Sequence, residues 1–81
     1  MKHVIVCEYA REMKTILFDY VDKNKDDVFR YYNTYLIGVV ELKNGDEVWI
    51  LPRIEYNVWC KGRTYMIDGK TYHSGQPCSV K

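Results

Sequence analysis

Nothing in this sequence of 81 residues spells out a reaction. It has no glycine-rich phosphate loop, no Walker motif and no G-x-S-x-G elbow, so the common signatures of nucleotide and acyl chemistry are missing. Its three cysteines, Cys7, Cys60 and Cys78, are odd in number and widely spaced, with no C-x-x-C pair. Neither a disulfide framework nor a zinc knuckle is written in that spacing. They read as reduced thiols of a cytoplasmic protein, with Cys7 and Cys60 acting as small core hydrophobes. No apolar run approaches the ~20 residues of a membrane span, and Val4–Cys7 is too short for a signal-peptide core. A net charge of +1 leaves the molecule as a whole without strong attraction for polyanions.

What is present is apolar and aromatic. Hydrophobic residues make up 47% of the chain, with eight tyrosines and two tryptophans, the composition of a folded domain rather than a disordered segment. The length suits one domain, residues 1 to 81, whose stability margin is thin because so short a chain buries only about 60% of its unfolded surface. Charge is uneven: residues 1–51 balance to −2 and residues 52–81 to +3, so the C-terminal third is mildly basic.

Along the chain, residues 8 to 24 carry Tyr9, Met13, Ile16, Leu17, Tyr20 and Val21 at steps of three and four, which predicts an amphipathic helix. Glu8 and Glu12 suit its first turn, and Asn24 marks its stop. Lys2–Cys7 is β-rich and reads as a short strand or a lead into the helix. From residue 28 to 73 the pattern is that of a sheet. Residues 35–43 and 46–51 flank Asn44-Gly45, the strongest short hairpin signal, and should pair. Pro52 ends that strand. Further strands are expected at Ile54–Cys60, Arg63–Ile67 and Lys70–His73, with tight turns at Lys61-Gly62 and Asp68-Gly69, and a loose tail over residues 74–81. The fold class is therefore α+β, with one N-terminal helix on a twisted antiparallel sheet of four to five strands, closing at most into a small open barrel.

A two-residue turn at Asn44-Gly45 would set Val40 opposite Trp49 and Val39 opposite Ile50, and both faces of that hairpin are then apolar. One helix covers one face only. The other is closed by the sheet curling on itself, by a second copy of the chain, or by a different macromolecule that binds Trp49, Trp59 and the tyrosines Tyr31, Tyr32 and Tyr35.

Chemistry has few candidates. His73 with Cys78 would make a thiol nucleophile pair, but in a loose tail that cannot hold it preorganised, and His3, Cys7, Cys60, His73 and Cys78 would hold a metal only if the chain ends met, with a spacing unlike that of zinc sites. No cofactor is called for. Glu41 and Glu47 flank a hairpin and read as solubilising charges. Arg53, Tyr56, Lys61, Arg63, Tyr65 and Lys70 interleave bases with aromatics, the mixture that binds single-stranded nucleic acid on a sheet. The reading preferred from the sequence is a non-enzymatic protein-binding module or inhibitor that covers a partner's surface, as a monomer or a homodimer. In size, compactness and lack of catalytic motifs it resembles the small phage and mobile-element proteins that block host defence, anti-CRISPR inhibitors among them. That resemblance implies a nuclease or another defence protein as partner and transfers no residue.

Overall fold

The computed structural model describes residues 2–74. Six strands and two helices follow one another as β1 (Lys2–Cys7), α1 (Ala10–Lys23), β2 (Val28–Asn33), β3 (Gly38–Leu42), β4 (Glu47–Pro52), α2 (Arg53–Trp59), β5 (Thr64–Ile67) and β6 (Lys70–His73). Apart from Ser74, the expected tail lies outside the described residues. The α+β class holds, with a second helix and a mixed four-stranded sheet, β1-β4-β3-β2, beside a two-stranded β5-β6 hairpin. The four-stranded sheet ends in two edges and closes into no barrel.

The weakly patterned Lys2–Cys7 segment is a true strand, parallel to β4 from Lys2↔Glu47 to Cys7↔Pro52. β1 and β2 occupy opposite edges, so α1 between them must run across a sheet face. The Glu12 carboxylate accepts the Tyr9 N–H at 3.3 Å, and at the other end the Asn24 side chain donates to the Tyr20 carbonyl at 2.9 Å. Both bonds satisfy backbone groups that a helix end leaves open. Met13 and Leu17 bury the apolar stripe of α1 against Cys7, Val40, Val48 and Ile50.

Gly38 sets how close the helix lies. A Cβ there would stand 3.3 Å from Met13 Sδ and 3.4 Å from Leu17, so the position has room for one methyl group at most. Gly38→Val should overpack this layer and destabilise the protein by about 1–3 kcal/mol, read as a lowered urea midpoint at unchanged slope. A variant as stable as the parent would show that the layer has slack.

The hairpin register differs by one residue from the expectation. Val39 faces Trp49, Val40 faces Val48 and Glu41 faces Glu47. The reason is a three-residue connection, Lys43–Gly45, in which the Gly45 N–H donates to the Leu42 carbonyl at 3.0 Å and Gly45 takes φ +98°. That is the bulged form of the turn, open to glycine at no steric cost. Asp68-Gly69, with φ of +53° and +78°, is the two-residue turn expected between β5 and β6.

Ile54–Cys60, expected to be a strand, is helical as α2 over Arg53–Trp59. Its buried residues, Glu55 and Trp59, are four apart, a helical spacing. The second sheet face is covered by the chain itself: Trp59 from α2 and Tyr65, Ile67 and Tyr72 from the hairpin pack on Ile37, Val39, Trp49 and Leu51. The molecule is thus three layers, with the sheet in the middle. No second copy or partner is needed to close that face.

Candidate functional site

The two tryptophans are core, not surface. Trp49 has 0% exposure, and its ring centroid lies 5.8 Å from that of Trp59, 5.4 Å from that of Tyr65 and 6.0 Å from that of Tyr72. Its indole Nε1–H donates to Glu47 at 3.0 Å. Trp59 is also buried, and its Nε1 has no hydrogen-bond partner among the described residues. Their removal from the expected contact surface follows from the covering layer, which the sequence placed nowhere.

The same layer takes up the basic and aromatic candidates of residues 53–72. Tyr65 is buried with its hydroxyl donating to Glu55 at 2.8 Å, and Tyr56 stacks on Trp59. Arg53 lies 3.4 Å from Glu8, Arg63 lies 3.6 Å from Glu55, and Lys70 lies 2.7 Å from Glu41. Only Lys61 of the six is an exposed cation without a carboxylate partner among the described residues.

Sequence reasoning missed a buried charge cluster. Glu41, 9% exposed, accepts hydrogen bonds from Arg30 Nε at 2.8 Å, Lys70 Nζ at 2.7 Å and the Tyr72 hydroxyl at 2.6 Å. Burial pushes its carboxyl up, but the bonds from Lys70, Tyr72 and Arg30 outweigh burial and hold it down at about 2. Tyr72 is pushed up, first by burial and then by its bond to Glu41, and so stays neutral. A carboxylate this saturated is a poor general base. It ties β2, β3 and β6 together and screens Glu41 from Glu47 directly opposite, which takes Lys2 at 2.8 Å. The clue lay in the sequence as two glutamates on one apolar strand pair.

Nucleophilic and metal candidates are dispersed. Cys7 is buried with its thiol donating to the Tyr9 carbonyl at 3.3 Å, and burial raises its pKa, which makes it a weak nucleophile. Cys60 is disulfide-bonded rather than the reduced thiol expected. His73 Nδ1 lies 3.5 Å from Thr64 Oγ1, and Cys78 is outside the described residues. Among the described residues no three His, Cys, Asp or Glu side chains are grouped for a metal. No helix among them is long and apolar enough to cross a membrane.

Ile54 on α2 and Met66 on β5 are exposed singly, and a group of exposed rings lies along the seam between α1 and β2. Phe18 and Tyr31, both exposed, meet edge to face with centroids 6.1 Å apart. Phe29 is 63% exposed at the irregularity between Val28 and Arg30, and Tyr35, just beyond β2, is 86% exposed. β2 is an edge strand, paired on one side with β3 and on the other with no described strand. On α1, Arg11, Lys14 and Phe18 recur at three and four residues and so share one stripe. Between that stripe and the end of β2 lies an open hollow of about 550 Å³, with Met13, Arg11 and Lys14 on one side and Asn33, Thr34 and Tyr35 on the other. Of the expected contact tyrosines, then, Tyr31 and Tyr35 are on this seam. Tyr32 points the other way, toward Tyr72 at 6.3 Å. Phe18 joins them from the helix stripe, while Phe29, at the strand irregularity, has its ring 5.2 Å from the Arg30 guanidinium.

Compared with protein families, with curated proteins and with solved structures, the chain matches none.

Proposed function

We propose that this protein is a small non-enzymatic binding module that covers a surface of a protein partner with the seam between α1 and β2. The observation that carries the reading is the group of exposed rings, Phe18, Tyr31 and Tyr35, with Phe29 exposed on the same strand, beside an edge of β2 that pairs with no described strand. Rings supply contact area at little rotamer cost, and an open edge supplies backbone donors and acceptors for an added strand. An aromatic edge left uncovered is an aggregation hazard, which a bound partner removes. Occlusion of the partner's own working surface is the mechanism such a module suits. A defence nuclease blocked by a phage-type inhibitor is one setting for it.

The test is a photo-reactive benzoylphenylalanine placed at Phe29, at Tyr31 or, as a control, at the exposed Thr71 of β6. In extract of the source cells the first two should give one discrete adduct and the third none. Phe29→Ser with Tyr31→Ser should lower adduct formation from a probe at Tyr35 at least about tenfold, at a stability cost of about 1 kcal/mol or less. Equal adducts from Thr71, or none from the seam, would sink the reading.

A further inference from the structure

We infer that the hollow at the end of this seam receives a carboxylate side chain of an extended acidic peptide laid along the edge of β2 that pairs with no described strand. This inference rests on the contact-surface reading and adds the chemistry of what is held.

The lining of the hollow is one-sided. Arg11 and Lys14, one turn apart on α1, both border it, and among the described residues neither has a carboxylate at ion-pair distance. Most cations elsewhere are matched: Lys2 with Glu47, Lys23 with Asp19, Arg30 and Lys70 with Glu41, Arg53 with Glu8 and Arg63 with Glu55. Arg11 is steadied over the Tyr9 ring at 4.4 Å, which leaves its guanidinium charge unneutralised. Opposite, Thr34 Oγ1 accepts from the N–H groups of Leu36 at 3.3 Å and Ile37 at 3.2 Å, which frees its hydrogen to donate. Asn33 and Tyr35 bring an amide and a phenol to the same rim. Two cations, an amide and two hydroxyls with no carboxylate among them are the donor set of an anion site.

The neighbourhood selects the kind of anion. A nucleic-acid strand carries one phosphate per nucleotide and needs cations repeated along its path. Here the two cations of the hollow are followed along the seam by the rings of Phe18 and Tyr31, and the next cation on α1, Lys23, is taken by Asp19 at 3.2 Å. A peptide meets both halves. Its backbone adds to β2, and apolar residues rest on the rings. Because β2 ends at Asn33 on the rim, an acidic residue paired beside Asn33 and facing α1 has its side chain at the hollow.

The probe is a capped peptide long enough to span β2, with valine at the positions facing α1 except for one glutamate placed to pair beside Asn33. It is titrated into the folded, isotope-labelled chain beside its glutamine counterpart and a short oligothymidylate. The glutamate peptide should bind at least about tenfold tighter than the glutamine peptide and shift the amides of Val28–Tyr35. Arg11→Gln with Lys14→Gln should bring the glutamate peptide down to the glutamine level and leave the glutamine peptide unchanged. Arg11→Lys with Lys14→Arg should keep the preference. Equal affinity of the two peptides, shifts away from β2, absence of binding, or tighter binding of the oligothymidylate would each overturn the inference. If seam adducts persist while the peptides fail, only the acidic-peptide inference falls; loss of the adducts removes the contact surface itself.

Discussion

Trp49→Ala should unfold a large part of the population at body temperature. Removing a fully buried aromatic ring costs about 3–5 kcal/mol, because the cavity left behind cannot collapse. A domain of this size is held by roughly 5–10 kcal/mol in total, so the melting temperature should fall by on the order of 20 °C. Trp49 is the place where that cost is largest. Its ring touches Trp59, Tyr65 and Tyr72, so it joins the sheet to α2 and to both strands of the hairpin. It also carries the bond to Glu47. Trp59→Phe makes the useful contrast, since it keeps an aromatic ring and sheds an indole N–H that has no partner among the described residues. That variant should lie within about 1.5 kcal/mol of the parent. Thermal unfolding followed by circular dichroism reads both. A well-folded Trp49→Ala protein would mean that the second face is held by something other than this cluster.

Acid should weaken the protein through Glu41 in a defined window. Its carboxyl titrates at about 2 when folded against an ordinary value of 4.5, so its contribution is fully present above pH 4.5 and is lost as pH falls toward 2. The size of that contribution is about 3 kcal/mol at neutral pH. Glu41→Gln removes the charge and leaves Arg30 and Lys70 against an amide that cannot neutralise them. The variant should be less stable by about 2–4 kcal/mol at neutral pH, less than a sealed pair would lose because both cations reach water. Urea unfolding across this range should show the parent and variant curves converging as the pH drops below 4.5. Curves that stay parallel would mean that the cluster is not what holds Glu41 ionised.

The periodicity of Met13, Ile16, Leu17, Tyr20 and Val21 announced α1, and Asn24 announced its end, because helix signals are local. Lys43–Asp46 announced the hairpin for the same reason. Its register was a different matter. A shift of one residue exchanges the faces of Val39 and Val40, and hydrophobic pattern decides between registers only when one face is polar. Here both are apolar, so the bulge at Gly45 made the choice.

Over α2, Ile54, Tyr56 and Val58 alternate in seven residues, too few to separate a period of two from 3.6, so the pattern alone suggests a strand. Trp59 falling out of phase with that alternation was the sign of a helix. It is four residues from Glu55, and both are buried. Tyrosine offered no such sign. Tyr65 and Tyr72 are core and Tyr31 and Tyr35 are open, yet all four sit in similar β-rich, polar-flanked segments.

By itself, then, the amino-acid order determined an α+β chain with an amphipathic first helix, a central hairpin apolar on both faces, and no spelled-out chemistry. Those properties depend on neighbours within a few residues. Only the tertiary structure decided that α2 and the β5–β6 hairpin close the second face, that Glu41 gathers Arg30, Lys70 and Tyr72 from three strands, and that Arg11 and Lys14 meet Asn33–Tyr35 at one hollow. Each of those joins residues far apart in the chain, and which of them meet is settled by what the layers bury together.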